Sequence, residues 1–495
     1  MIFNSFEYAL FLPVVFFLYW FVFDKWITHS SPSQGEGDRL QGRGRGANQL
    51  LLQNAFVLVA SYVFYGWWSW KFLVLIAFTS LCSYLSGRQM TTGRWRKTAL
   101  WGNIIINVGI LALFKYYDFF AAELAGLMGV EGDKFMLNLV LPVGISFYTF
   151  QALSYSIDVY KGKIEPTKDI IAFFAYIAFF PQLVAGPIER ATNLLPQFQK
   201  RREFDYDTAV DGARQILWGL FQKMVVADNC AAYVDDVFLC GGSGSEHLMA
   251  AVFFTFQIYG DFAGYSNIAI GTAKLFGIRL MQNFKTPYFS RDIAEFWRRW
   301  HISLTTWFRD YIYIPLGGSR VGKFKVVRNT FIIFLVSGLW HGANWTFLAW
   351  GFYHACLFLP LILLGKNRKY TDTVAVGRWL PSLKELGQMT LTFMLAVFGW
   401  VIFRATGIPS AVGYFREMLT PETLTGIYKI FTRWEMLPVG IMLIVEWFQR
   451  NKEHGLQHWE NIFRSRWLRY FLYALFFVSC IFFRGSYQQF IYFQF

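Results

Sequence analysis

Residues 337–342 read SGLWHG, and they lie inside the run from Phe331 to Leu364, which is otherwise almost wholly apolar. An apolar run of about 17–25 residues is long enough to cross the hydrocarbon core of a bilayer as a helix. The run therefore predicts membrane-spanning helices with an imidazole, that of His341, placed among them. Ionisable residues within a membrane are costly and mark functional sites, so His341 is the first candidate for chemistry.

The rest of the chain repeats this apolar character. Of its 495 residues, 55% are hydrophobic, 20% aromatic and only 16% charged, and the mean hydropathy is +0.33. Soluble domains carry about 25% charged residues. We therefore predict an all-α polytopic membrane protein with about 11–13 transmembrane helices. The candidate spans lie near residues 8–23, 50–67, 71–87, 98–114, 137–153, 168–187, 213–227, 248–275, 329–365 (two helices), 388–404, 434–448 and 468–483.

Basic residues dominate the charges and orient the chain. The formal net charge is +14, which positive-inside loops and anionic lipid headgroups explain without nucleic acid as a partner. Arg and Lys cluster after the first and third predicted helices, whereas only Lys71 lies between the second and third. Glu7 stands where a signal peptide would carry basic residues. We therefore expect a retained first helix and an extracytoplasmic N-terminus.

We expect one integral membrane domain over residues 1–495, with no separate soluble domain. Residues 30–48 are rich in Gly, Ser and charge, which predicts a flexible cytoplasmic loop. Residues 485–495 form an aromatic tail that contains Tyr492. By composition alone this tail is an interfacial aromatic anchor.

A third segment, residues 285–328, departs from the spanning pattern. It is too charged to lie in lipid and too aromatic for an exposed loop, so we expect short amphipathic or re-entrant helices at the cytoplasmic interface. Ser290 is the expected N-cap, and Glu295 is expected to pair with Arg298 or Arg299. The basic excess suits a polyanionic ligand, and the ordinary positive charge of a cytoplasmic face is the alternative.

His341 has the properties of a general base. A desolvated imidazole, with an ordinary pKa near 6.5, stays neutral and able to accept a proton. The neighbouring Gly338 and Gly342 would let backbone or substrate approach closely. The alternative is a packing histidine that donates to a carbonyl group. His301, in the stretch RRWHISL, is on position alone at least as consistent with an interfacial histidine without chemistry.

Other polar residues interrupt the apolar helices. Gln257 and Asp261 lie at i and i+4 on one helical face, and a buried Asp261 needs a hydrogen-bond donor. We expect this donor to be Tyr265, Asn267 or an arginine of 285–328, with purely structural hydrogen bonding as the alternative to catalysis. The candidate tunnel-lining residues are Gln257, Asp261, Ser337 and Asn344.

No metal site is predicted. The five cysteines are scattered without CxxC spacing. His354 follows His341 by 13 positions, about 220° around a helix, so the two side chains face different ways.

Two histidine-bearing stretches carry a family resemblance. They are EFWRRWHISLTTWFRDYIYIPLGG (295–318) and SGLWHGANWTFLAWGFYHA (337–355), and they are supported by LPVGISFYTFQALSYSIDVYKG (141–162), FFPQLVAGPIERA (179–191) and QIYGDFAGYSNIAIGTAKLFGI (257–278). Together they resemble the membrane-bound O-acyltransferase (MBOAT) family, and within it the bacterial branch that acts in alginate and peptidoglycan O-acetylation.

The resemblance implies a ring of transmembrane helices around a central tunnel, in the cytoplasmic membrane of a bacterium. It assigns the central catalytic histidine to His341 and the second functional histidine to His301. It also makes Tyr492 a candidate transient acyl carrier, since the end of the tail is similar to the tyrosine-bearing motif of a companion peptide in teichoic-acid D-alanylation. The expected donor-binding residues are Arg298, Arg299 and Arg309.

The implied reaction moves an acyl group, most simply acetyl, from a cytoplasmic thioester across the membrane. The donor would be acetyl-CoA or an acyl carrier protein, with no bound cofactor. An extracytoplasmic acetyltransferase- or esterase-like partner would pass the group to a polysaccharide, and the choice among alginate, peptidoglycan and other polymers stays open. Alternatives are a proton-coupled transporter or flippase, which the lack of internal repeats disfavours, and a scaffold for a polysaccharide synthase.

Overall fold

The computed structural model describes residues 1–23, 39–91, 93–130, 135–184, 186–486 and 488–491. Within these ranges the chain is helical and has no β-strand, which confirms the all-α class. Of the predicted flexible loop, residues 30–38 lie outside the described residues. Residues 39–48 already belong to a helix, so the loop prediction is wrong there. Tyr492 also lies outside the described residues.

The helices vary greatly in length, from single turns to 32 residues. In chain order they are α1 (Phe6–Phe17), α2 (Arg39–Ser69), α3 (Leu73–Gln89), α4 (Arg96–Lys115), α5 (Tyr117–Leu127), α6 (Ile145–Tyr160), α7 (Ile170–Ala178), α8 (Phe180–Leu183), α9 (Ala191–Phe198), α10 (Tyr206–Leu220), α11 (Asp228–Cys240), α12 (Gly244–Leu275), α13 (Ile293–Arg299), α14 (Ile302–Phe308), α15 (Lys323–His341), α16 (Trp345–Leu363), α17 (Leu383–Arg404), α18 (Ile408–Met418), α19 (Pro421–Gly426), α20 (Met436–Phe448) and α21 (Arg466–Phe482). Single π-helical stretches occur at Leu18–Phe23, Phe221–Ala227 and Arg309–Tyr313.

The chain divides into two compact units. The first comprises Met1–Ala213 and Ala269–Met281, and the second comprises Arg214–Ile268 and Gln282–Phe495. The boundary falls within α10 and α12, so each of these helices contributes residues to both units. The residues predicted to carry chemistry belong to the second unit, and the prediction of a single integral domain stays a prediction.

Four of the described helices are long and apolar enough to cross a membrane. They are Asn48–Ser69, Gly93–Lys115, Trp345–Leu363 and Leu383–Arg404. Large apolar side chains on them remain exposed, for example Ile105 at 66% and Leu391 at 63%. Such exposure suits a surface that meets lipid, because a soluble protein would bury most of it. The polytopic membrane character predicted from composition is confirmed.

Much of the segment 285–328 forms short helices, whereas its residues 323–328 begin the long helix α15. The placement of the segment at a membrane interface stays a prediction. Helices α13 and α14 have seven residues each, and the π-helical stretch that begins at Arg309 follows them. The predicted cap is wrong by two positions: the side chain of Asp292, not Ser290, accepts the Glu295 N–H at 2.7 Å. Both residue types cap helices well, and only the carboxylate of Asp292 reaches the first turn.

Candidate active site

His301 lies in the turn between α13 and α14, in a conformation that side chains rarely adopt. Its φ angle is +44°, in the left-handed region, and only 1% of its surface is exposed. For residues other than glycine this conformation costs about 1–2 kcal/mol, so the surrounding structure must impose it. Observed strain of this kind points to function.

A buried asparagine holds that turn. The side-chain oxygen of Asn283 accepts the hydroxyl of Ser303 at 2.9 Å and its N–H at 3.3 Å. The main-chain carbonyl of Asn283 accepts the N–H of Ile302 at 2.9 Å. The residues on the C-terminal side of His301 are therefore fixed through Asn283. Asn283 was not predicted from the sequence, because its partners come from a different stretch of the chain.

His341 ends α15 and is 4% exposed. Its ring packs edge-on against Trp350 of α16 and Phe403 of α17, with ring centroids 5.1 Å apart in both pairs. Aromatic faces on two neighbouring helices thus fix the direction of the imidazole.

Glycines let α15 and α16 touch through their backbones. A Cβ atom on Gly338 would lie 2.2 Å from the carbonyl oxygen of Phe347, and one on Gly351 would lie 2.4 Å from that of Phe334. Such contacts are impossible for any larger residue, and small residues allow this kind of packing between membrane helices. The expected close backbone approach beside His341 is therefore present.

The two histidines line one cavity of about 810 Å³, a volume within the range of small-molecule sites. Trp340 stands between them, with its ring 5.7 Å from that of His301 and 4.8 Å from that of His341. Most of the other side chains that line the cavity are apolar. They include Ala294, Trp297, Trp300, Leu304, Phe308, Val326, Ile333, Phe334, Phe358 and Ile362.

The other end of the cavity is basic and exposed. Arg309, Lys323 and Arg368 line it and are all exposed. Arg298 also lines it, and its guanidinium donates to the carbonyl oxygen of Asn367 at 2.7 Å. The cavity thus leads from a cationic mouth to two buried imidazoles. Lys323 and Arg368 were not predicted from the sequence, because they lie at and beyond the ends of apolar helices, where basic residues are common.

The predicted donor residue Arg299 has a different environment. It is not among the residues that line the cavity, and its guanidinium donates to Glu295 at 2.8 Å. This confirms the predicted pairing of Glu295 at i+4. Glu295 also accepts from Arg291 at 3.0 Å. Arg291 in turn lowers the pKa of the exposed carboxyl of Asp372 by donating a hydrogen bond to it.

The buried imidazole of His301 is neutral. Burial lowers its pKa to about 3, because the cationic form loses its hydration. Across physiological pH the ring therefore carries one N–H donor and one nitrogen acceptor.

Of the predicted tunnel-lining residues, Ser337 lines the cavity. Asn344 instead caps α16, with its side-chain oxygen accepting the Thr346 N–H at 3.0 Å. Gln257 and Asp261 lie buried in α12. A tunnel role for these three residues stays a prediction.

The prediction of the hydrogen-bond donors to Asp261 was wrong. Its carboxylate contacts the ammonium of Lys223 at 2.7 Å and accepts the main-chain N–H of Ile491 at 2.6 Å. Neither partner is near in sequence, so no local pattern indicated them.

Within the described residues, no group of three or more His, Cys, Asp or Glu side chains is placed to hold a metal ion. Two short helices and α15 instead bring two buried imidazoles to the end of an apolar cavity with a cationic mouth. These are features that an acyl-transferring enzyme in a membrane requires: a cavity that excludes water, a candidate base and positive charge for an anionic substrate.

Comparison with known proteins gives the family. The model of the membrane-bound O-acyltransferase family, MBOAT, matches residues 105–378, a range that includes both histidines. The chain belongs to this family.

Bacterial relatives extend beyond that range. The chain is 40% identical over 375 residues to a protein of Pseudomonas aeruginosa described as probable alginate O-acetylase AlgI, covering 74% of this chain and 70% of the relative. It is 33% identical over 404 residues to the peptidoglycan O-acetyltransferase of Helicobacter pylori, covering 75% of each chain. Over 285 residues it is 29% identical to the teichoic acid D-alanyltransferase of Bacillus subtilis, covering 54% of this chain and 69% of the relative.

These findings confirm the predicted family and the predicted enzyme class. The protein is a membrane O-acyltransferase, and the transporter and scaffold alternatives do not account for its membership of this family.

Proposed function

We propose that this protein transfers an acetyl group from a cytoplasmic thioester, through the cavity of the second unit, for O-acetylation of a polysaccharide outside the bacterial cytoplasmic membrane. One observation carries the proposal: a single cavity joins exposed cationic residues to His301 and His341, which are both buried. The names of the relatives from Pseudomonas aeruginosa and Helicobacter pylori support acetyl as the group and a polysaccharide as the acceptor.

The cationic mouth is the proposed donor site. Arg298, Arg309, Lys323 and Arg368 would bind the phosphates of acetyl-CoA or of a carrier protein's prosthetic arm, since cationic side chains form charge-assisted hydrogen bonds with phosphate oxygens. The apolar wall would take the arm itself. No resident cofactor enters this scheme, because the thioester is a substrate.

His341 is the proposed general base. It takes the proton from an attacking hydroxyl, whose oxygen forms a new bond to the thioester carbonyl carbon. The C–S bond then breaks, and the protonated His341 returns the proton to the leaving thiolate, so that ester and free thiol result. His301, held neutral by burial, donates its N–H to the thioester carbonyl. Positioning alone lowers the barrier by up to about 7–11 kcal/mol in the best-oriented reactions.

The acceptor hydroxyl belongs to Tyr492 as a transient carrier, or to an extracytoplasmic partner protein that completes the transfer. The segment 285–328 is proposed to face the cytoplasm, where the thioester is made, because an excess of Arg and Lys is typical of cytoplasmic loops. The distribution of Arg and Lys along the chain supports this orientation.

Replacing His341 tests the proposal. In proteoliposomes loaded with radiolabelled acetyl-CoA, and in cells assayed for base-labile acetate on exported polysaccharide, His341→Ala should lower acetyl transfer at least about 100-fold, the lower end of the effect of a general base. Membrane abundance should not change. His458→Ala is the matched control, because His458 is exposed and does not line the cavity. Transfer at the wild-type rate by His341→Ala would refute the assignment.

A further inference from the structure

The last described residues of the chain pack against the backbone of the second unit. The main-chain N–H of Gly485 donates to the carbonyl oxygen of Met224 at 3.0 Å. A Cβ atom on Gly485 would lie 2.5 Å from the carbonyl carbon of Asp228. The side chain of Asn229 donates to the carbonyl oxygen of Phe483 at 2.8 Å. The tail therefore begins in direct contact with the π-helical stretch Phe221–Ala227 and the start of α11.

A buried ion cluster lies beside this contact. The ammonium of Lys223 is 2.8 Å from a carboxylate oxygen of Asp228 and 2.7 Å from one of Asp261, and the three side chains are 1–4% exposed. The cluster holds one formal positive charge and two negative charges. Because a buried charge without full compensation is strongly destabilising, the carboxylates require further hydrogen-bond donors.

The tail supplies what the cluster requires. The N–H of Ile491 donates to the second carboxylate oxygen of Asp261 at 2.6 Å. The carbonyl oxygen of Gln488 accepts a hydrogen bond from Lys223 at 3.2 Å. Ile491 is 1% exposed. Tail and cluster thus stabilise each other, because without the tail Asp261 would lose a charge-assisted hydrogen bond.

Aromatic contacts lead from the tail to the cavity. Phe490 is 1% exposed, and its ring lies 4.4 Å from that of Tyr265 and 5.8 Å from that of Phe262, both on α12. The ring of Phe262 lies 4.6 Å from the imidazole of His301. One side chain therefore separates the docked tail from a cavity-lining histidine.

We propose that Lys223, Asp228 and Asp261 form a dock for the C-terminal tail, and that the docked Phe490 positions His301 through Phe262. The three charged residues are positioning residues. The catalytic part of this inference rests on the proposed function, whereas the docking part does not. The dock holds Ile491, which directly precedes Tyr492 in the sequence.

Thiol labelling tests the docking without reference to activity. Ile491→Cys in the full-length protein, in native membranes, should react slowly with a polar maleimide, as followed by mass spectrometry of the C-terminal peptide. Adding Asp261→Ala should raise the rate about 10- to 100-fold, the ratio that corresponds to losing a hydrogen bond to a charged group. Asp211→Ala is the matched control, because Asp211 pairs with Lys274 at 2.7 Å and belongs to the first unit. Equal rates in all three backgrounds would overturn the dock.

A double-mutant cycle tests the positioning. Asp261→Ala and Phe490→Ala should each lower kcat for acetyl transfer with little change in the KM for acetyl-CoA. The double variant should be no slower than the slower single one, because both changes remove the same contact. Multiplicative effects, or a loss confined to KM, would overturn the positioning role. His341→Ala should leave the labelling rates unchanged, so a failure of the proposed base would not be mistaken for a failure of the dock.

Discussion

Two buried ion clusters in the second unit have opposite charge imbalances. One sets two arginines, Arg291 and Arg299, against the single carboxylate of Glu295. The other sets the single ammonium of Lys223 against two carboxylates. Each has an excess of one charge, and each obtains the missing partners from a segment that follows a helix.

The clusters differ in their access to water. The arginine cluster reaches Asp372, whose side chain is 61% exposed, and a carbonyl oxygen of the same residue. The lysine cluster is sealed and relies on backbone groups of the tail. Both lead to His301: Arg299 ends the helix just before it, and Phe490 and Phe262 reach its ring. The imidazole of His301 therefore lies between a cluster that ends at an exposed carboxylate and a cluster that is buried throughout.

The largest expected effect comes from breaking the arginine cluster. Glu295→Ala leaves two buried guanidinium groups without their carboxylate, which costs about 3–5 kcal/mol. We expect a large loss of thermal stability, measured in detergent by the monodisperse fraction that survives heating. Asp372→Ala is the matched control, because an exposed ion pair contributes only about 0.2–1 kcal/mol. Equal melting of the two variants would show that burial does not distinguish the partners.

At His301, which both clusters approach, we expect a smaller effect on stability and a large effect on activity. His301→Gly removes the imidazole and suits φ of +44°, so it should be more stable than His301→Ala, for which this conformation costs about 1–2 kcal/mol. Both variants should lose acetyl transfer. His458→Gly is the matched control, since His458 is exposed with φ of +52° and should keep full activity. An active His301→Gly variant would reduce His301 to a structural residue.

The smallest expected effect lies at the solvent end of the cavity. Lys323→Gln should raise the KM for acetyl-CoA about two- to fivefold and leave kcat unchanged, because exposed ionic contacts contribute about 0.2–1 kcal/mol. The difference should shrink as salt is added. Lys325→Gln changes an exposed lysine of the same helix that does not line the cavity. Equal KM changes for the two variants would argue against a donor site at this mouth.

The two clusters also show what the sequence can and cannot predict. The pairing of Glu295 with Arg299 follows from helical spacing alone, and apolar runs likewise predicted helices such as α16 and α17. The run 168–187, predicted as one span, is instead divided into α7 and α8. Lys223 and Asp261 lie on different helices, and nothing near either residue in sequence indicates the contact. The position of His341 in an apolar run made it a candidate, whereas the contribution of Asn283 to the turn at His301 depends on chain segments that meet only in the fold.

The glycine contact between α15 and α16 has a consequence for how this sequence can vary. Gly338 and Gly351 each face a carbonyl oxygen on the opposite helix, so even one added methyl group would push α15 and α16 apart. Because His341 ends α15, its imidazole would move with that helix. Substitutions at these two positions are therefore not tolerated, although neither glycine is a proposed catalytic residue. The range of sequences compatible with this site is limited by how closely the backbones of α15 and α16 approach each other.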